Sequence, residues 1–263
     1  MEENNKKLPG YENLAKLQYF TPKVFISDNK EKQEVCNFIL MLALIYNDFK
    51  DLLWAYFYME KCKPPTISQP TSYIGQYGGI NLHLTKLFHS LIFEFSKLIQ
   101  ENCVVFSHPL FIKTIQQIQK ENKNNWNRLV SFAKGEEINK NDKELYKISC
   151  LIRNNIGFHY YQPKFLYSGY IHFFSKKDNP TNQNAFISNG VSLESSRFYF
   201  ADAAVQGCFE RIISKEDAKM LSLTFKDIGE KIGKTLHNII ISFIQLRLIE
   251  LKDGCHDYIG DVK

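Results

Sequence analysis

The sequence predicts an all-α protein, an up-and-down bundle of long helices with at most a small β-hairpin insertion. Apolar residues recur at three-and-four spacing over several long stretches. Those stretches open on capping side chains and close at proline or glycine. The one strand-turn-strand pattern is confined to residues 185–202.

Residues 1–27 carry Pro9, Gly10 and Pro22 among scattered aromatics, which predicts an irregular arm packed on the body. Ser27-Asp28 can cap a helix that runs to about Lys61. Its stretch Phe38 to Tyr46 is apolar on most sides, as expected in the centre of a bundle or at a subunit interface. Cys62-Lys63-Pro64-Pro65 ends it, because proline removes a donor and pushes the preceding residue out of the helical region. A second helix starts at Ser72 or after Gly78-Gly79 and keeps Leu84, Phe88, Leu91, Ile92 and Phe95 in phase to Glu101. Its two histidines, His83 and His89, point in different directions and cannot share a metal. Ser107-His108-Pro109 opens a third helix with proline at a tolerated position. A break at Asn122 to Asn125 is expected before Trp126 to Ala133, and Gly135 closes the section.

The next helix begins near Asn141-Asp142, presents Leu145, Ile148, Ile152 and Ile156 as an inward stripe, and stops at Gln162-Pro163. Residues 164–175 fit helix or strand, and Ser175 to Asn184 is a loop. Phe186-Ile187-Ser188 can pair with Phe198-Tyr199-Phe200 through the turn residues Asn189-Gly190, with Glu194, Arg197 and Asp202 capping or pairing locally. Ala203 to Ile213 reads as helix, and Ser214 to Asp217 caps a last long helix with Leu221 through Leu246 in phase. Gly229 and Gly233 on one face of it predict a close helix crossing. The chain thus divides into an arm (1–27), one helical domain (28–252) and a tail (253–263).

With 263 residues, 44% hydrophobic and 23% charged, the composition is that of an ordinary soluble globular protein. The net charge of +5 permits an anionic partner without demanding one, and the lysine-rich bias of the chain makes surface lysine weak support for it. The Lys/Asn stretch Lys113 to Arg128 reads as a solvated face. Cys36, Cys62, Cys103, Cys150, Cys208 and Cys255 lie too far apart for a zinc or redox pair, and are expected to be reduced and mostly buried in a cytoplasmic protein. No signal peptide is expected from the polar Met1 to Lys7, and no membrane span from the short run Phe38 to Tyr46. Cys255-His256-Asp257 offers ligand types in a frayed tail and is not read as a metal site. There is no phosphate-cradling glycine loop, nucleophile elbow or zinc-protease pair, so no cofactor or metal is expected.

Chemistry concentrates in Arg153-Asn154-Asn155-Ile156-Gly157-Phe158-His159-Tyr160-Tyr161. Arginine is a fixed charge suited to phosphate, and histidine exchanges protons near neutral pH, a minimal set for cleaving a phosphodiester without metal. RNA brings its own nucleophile, the 2′-hydroxyl. His159 can act as base or acid, Arg153 can neutralise the developing charge, and Asn154 can orient either. Ser149, Tyr160 and Tyr161 are the auxiliary or substrate-binding candidates, Ser149, Arg153 and Tyr160 forming a polar strip. The competing account is structural. Residues six apart on an ideal helix lie ~120° apart, which puts His159 on the apolar stripe and makes Arg153 a surface ion pair unless Gly157 allows a bend.

Arg153-Asn154 followed by His159 in an Arg-polar-x4-His arrangement resembles the signature of the HEPN superfamily, and Tyr161, two residues after the histidine, resembles a toxin branch of it. The match covers nine residues in a helical context. The resemblance implies a helical bundle acting as a metal-independent endoribonuclease, a toxin or antiviral effector that pairs two motifs across a homodimer interface. It further implies RNA as substrate, 2′,3′-cyclic phosphate products and a neutralising partner protein. One alternative is a non-catalytic HEPN-like module that binds RNA or a nucleotide or regulates a partner. Another is an interaction protein whose Phe38 to Tyr46 helix forms the interface.

Overall fold

A computed structural model describes residues 17–65, 71–136, 139–157, 163–176, 184–192, 195–213 and 215–257. The chain is all-α. Its eight described α-helices are α1 (Lys30–Lys61), α2 (Ser72–Glu101), α3 (Pro109–Gln117), α4 (Lys120–Lys134), α5 (Lys140–Ile152), α6 (Pro163–Phe174), α7 (Tyr199–Ile212) and α8 (Lys215–Leu251). Among the described residues the only sheet is a pair of two-residue strands, β1 (Gln18–Tyr19) and β2 (His256–Asp257). Contacts group the chain into two compact units, one of residues 1–54, 98–130 and 229–263, the other of 55–97 and 131–228. The limits fall inside α1, α2, α4 and α8, where no change of composition marks them in the sequence.

In the first unit α1 buries Val35, Phe38, Ile39, Leu42, Ile45 and Phe49, a three-and-four stripe. Phe38 meets the edges of Phe106 and Phe111 at 5.6 and 5.7 Å between ring centres, and Trp126 joins the same cluster. The opposite side of α1 leaves Leu40, Met41 and Leu44 exposed, Leu44 at 61%. Arg247, only 3% exposed, donates to the carbonyls of Val24, Lys23 and Ile26 at 2.9, 3.2 and 3.0 Å and pairs with Glu250 at 2.5 Å. Those carbonyls belong to a 3-10 turn, Pro22–Phe25, and to Ile26, the residue that follows it; inside the turn the Lys23 carbonyl also accepts from the Ile26 N–H at 3.1 Å. The arm then pairs antiparallel with the tail, Gln18 opposite Asp257 and Tyr19 opposite His256. Strands this short carry no periodicity, and the sequence assigns no element there.

The break expected at Asn122 to Asn125 lies instead at Ile118-Gln119, where Ile118 turns extended. Asn122, Trp126 and Leu129 share the buried face of α4, and that burial outweighs the weak helix preference of asparagine. Gly135 closes α4 with φ +69°, as expected. The cysteines depart from expectation. Cys36 and Cys208 are buried, Cys62 and Cys150 are intermediate, and Cys103 and Cys255 are exposed.

In the second unit α2 starts at Ser72, its first turn capped by Thr71 Oγ1 accepting from the Ile74 N–H at 3.2 Å. The ambiguous stretch after Pro163 is helix α6. The expected hairpin reduces to one antiparallel bridge, Ser188 with Arg197, bonded at 2.8 and 2.9 Å. Phe198-Tyr199-Phe200 does not continue it, because Tyr199 opens α7. The Tyr199 ring lies where a Cβ on Gly75 would stand, and its hydroxyl donates to the Ser72 carbonyl at 3.1 Å. Tertiary seating on a glycine gap in α2 thus replaces strand pairing.

The close helix crossing is at Gly169 of α6 and Gly207 of α7. A Cβ on Gly207 would strike the Gly169 carbonyl, and one on Gly169 would strike the Ala204 carbonyl and the Cys208 backbone. At Gly229 and Gly233, where the sequence suggested it, a Cβ would meet nothing within 4 Å. Spacing alone shows that glycines share a face, not that the face meets another helix. Gly207→Ala is therefore expected to cost about 1–3 kcal/mol through backbone displacement. Gly229→Ala should be neutral or stabilising by up to about 1 kcal/mol, as in any helix interior. Thermal unfolding of the two variants measures both, and equal effects would contradict the placement of the crossing.

Candidate functional site

Helix α5 is fixed at its start by Asn139, whose side chain accepts from the Asp142 N–H at 2.8 Å. Leu145, Ile148 and Ile152 are buried along it, the inward stripe read from the sequence. Ser149 is buried beside that stripe, its hydroxyl 2.9 Å from Nδ1 of His89 on α2. His89 is buried against the Phe225 ring at 5.5 Å, and burial pushes its pKa down to about 4. The imidazole is therefore neutral at neutral pH, and Ser149 satisfies a polar nitrogen that would otherwise be stranded in the core. Ser149 acts through His89 and has no open face for a substrate.

One turn on in each helix the same two elements meet again. Arg153 follows Ser149 by four residues and Phe93 follows His89 by four, and the Arg153 guanidinium lies over the Phe93 ring at 5.4 Å. Its Nε donates to Glu94 Oε1 at 3.3 Å, with the arginine side chain 31% exposed. Arg153 also ends α5 and opens a π-helical turn, Arg153–Gly157. Asn155 Nδ2 donates to the Leu151 carbonyl at 2.8 Å inside this region, a side chain competing for a backbone acceptor. Gly157, a poor helix former, closes the turn.

Arg153 and the exposed Asn154 thus stand together at the surface, on the wide turn. His159, Tyr160 and Tyr161 lie outside the described residues. The polar strip begins with a buried member, so its surface portion starts at Arg153. Sequence reasoning did not find Phe93, Glu94 or the pairing of His89. The matching four-residue steps, His89 to Phe93 and Ser149 to Arg153, are visible in the sequence but acquire meaning only once α2 faces α5. At the tail, Cys255 Sγ approaches Gln18 Oε1 at 3.6 Å and His256 approaches Asp253 at 3.6 Å. Among the described residues no three His, Cys, Asp or Glu side chains are placed to hold one metal ion, and no helix is long and apolar enough to cross a membrane.

The depressed pKa of His89 has a definite sign. Its folded value, about 4, lies below the ordinary 6.5. The stability it confers is complete above pH 6.5 and is lost as pH falls toward 4, at roughly 1.4 kcal/mol per pH unit. Thermal midpoints of the wild type should drop across that window, and those of His89→Gln should drop less. Parallel curves would show that the histidine is not the group responsible.

No protein-family model, no curated protein and no solved structure matches this chain, so the resemblance of its motif stands on the motif's own residues.

Proposed function

We propose that the chain is a metal-independent endoribonuclease of HEPN type, with Arg153, Asn154 and His159 as its catalytic set and a composite site completed by a second copy. The observation that carries this reading is the π-helical turn opening on Arg153. Single π turns are rare and are frequent at functional sites, since the extra residue changes the direction of the side chains that follow. Here the turn falls on the segment whose regular geometry argues against a shared site for Arg153 and His159.

In this reaction the 2′-hydroxyl loses its proton to a base as its oxygen attacks the adjacent phosphorus. The bond from phosphorus to the 5′-oxygen breaks, and that oxygen takes a proton from an acid, leaving a 2′,3′-cyclic phosphate. One imidazole serves one of the two transfers well, and a symmetric partner supplies a second His159 and a second Arg153. Phe93 and Glu94 hold the Arg153 guanidinium by stacking and a charged hydrogen bond, which limits the directions from which it can meet a phosphate. A role as toxin or defence effector, restrained by a neutralising partner, belongs to this reading.

A second reading, a non-catalytic module binding RNA or a nucleotide, is favoured by the same engagement of Arg153 with Glu94, since a clamped cation binds well without chemistry. Incubation of single-stranded RNA in EDTA with wild type, Arg153→Ala and His159→Ala separates the two. The first reading predicts cyclic-phosphate ends from wild type, specific activity rising with protein concentration, and losses of at least about a hundredfold in both variants. RNA bound but uncut by all three supports the second, and a fully active His159→Ala removes the first.

A further inference from the structure

The second unit contains two adjoining cavities that the motif does not use. The smaller, about 300 Å³, is lined by Gly79, His83 and Lys86 of α2 and by Arg197, Asp202 and Val205. Lys86 is only 9% exposed, and among the described residues its ammonium makes no hydrogen bond or ion pair. Burial pushes its pKa below the ordinary value, with Asp202 opposing the shift. His83 is lowered first by burial and then by the nearby charges of Lys86 and Arg197. Asp202 is committed elsewhere. It accepts from Arg197 Nε and Nη2 at 2.8 and 3.2 Å, while Nη1 reaches Gln76 Oε1 at 3.1 Å. The Arg197 guanidinium occupies the space that a Cβ on Gly79 would take. Two basic side chains and an imidazole therefore share one small cavity with a single carboxylate, which among the described residues is bonded to Arg197 and not to Lys86.

The larger cavity, about 620 Å³, shares Gly79, Leu82 and Asp202 with the smaller one. Phe173, Phe174, Phe186, Tyr199 and Phe200 supply aromatic surface to it. On its wall Asn81 Oδ1 is buried with no hydrogen-bond partner among the described residues. Its volume lies within the range of small-molecule sites. An aromatic chamber with one orphaned acceptor, opening beside an anion-poor basic niche, matches a ligand with a flat amine-bearing ring at one end and a phosphate at the other.

We propose that these adjoining cavities bind a nucleoside monophosphate, its phosphate between Lys86 and Arg197 and its amino-substituted base among the aromatics beside Asn81. The site is separate from the Arg153 motif and does not rest on the nuclease reading. Calorimetric titration of the full chain with AMP, UMP, adenosine and inorganic phosphate tests it. AMP should bind at least about tenfold more tightly than adenosine or phosphate alone, and more tightly than UMP, whose single ring offers the aromatic chamber less stacking surface. Lys86→Met should weaken AMP at least tenfold and leave adenosine unchanged, and His159→Ala should bind AMP as wild type does. Adenosine equal to AMP would remove the phosphate niche, and phosphate equal to AMP would remove the aromatic chamber. No AMP binding at millimolar concentration, or its loss in His159→Ala, would overturn the proposal. The ligand comparison on wild type holds whether or not Lys86→Met folds.

Discussion

The hydrogen bond between His89 and Ser149 is the contact on which the candidate site depends. A buried imidazole must stay neutral and must be satisfied, and it meets both conditions only where α5 places a small hydroxyl opposite it. That pairing fixes the register of α5 against α2. One turn farther along both helices, the same register puts Arg153 over Phe93 and beside Glu94. Core polarity and surface cation are thus consecutive rungs of one ladder, and loosening the buried rung should misplace the exposed one.

Helix α2 serves more than one purpose along its length in the second unit. Near its start, Gly75 and Gly79 give up side-chain volume so that Tyr199 and Arg197 can lie against the backbone. In its middle, Lys86 faces a cavity while His89 faces the core. Farther on, Phe93 and Glu94 meet the motif arginine. Residues at successive levels of a single helix therefore hold two separate positively charged features, one built around Lys86 and Arg197, the other around Arg153. In both, an arginine is oriented by a carboxylate, Asp202 for Arg197 and Glu94 for Arg153, so each guanidinium is held in a defined direction.

Much of the helical framework was legible in the sequence, because long helices combine periodic apolar faces with caps and stops. The first helix, expected from Ser27-Asp28 to about Lys61, spans Lys30–Lys61, and the second ends at Glu101, as its periodicity predicts. What escaped depends on neighbours that are distant in sequence. Burial of Asn122 keeps α4 helical through an asparagine cluster. The tight crossing uses Gly169 and Gly207 rather than Gly229 and Gly233. Tyr199 enters a helix instead of a strand because α2 has a gap for it. The tail reads as frayed, yet His256-Asp257 pairs with the arm over two residues, too few to leave a pattern. At the site, the arginine and its neighbour were visible as chemistry, but their support from Phe93, Glu94 and the His89–Ser149 bond was not. Local pairing of Arg197 with Asp202 follows from their nearness in sequence, whereas the buried lysine beside them sits unmarked in an ordinary helical repeat.

In the proposed site Arg153 is a cation aimed at phosphate, with Glu94 as a restraint on it. The structural account instead makes the two a surface ion pair of no further use. Affinity for a 2′-O-methyl single-stranded RNA, which cannot be cleaved, distinguishes these at one fixed low ionic strength. If Arg153 meets phosphate, Arg153→Ala should bind at least about tenfold more weakly, and Glu94→Gln, which removes the competing carboxylate, should bind as tightly as wild type or more tightly. Unchanged affinity in Arg153→Ala, with both variants melting at lower temperature, would contradict the account and leave the ion pair as a structural contact.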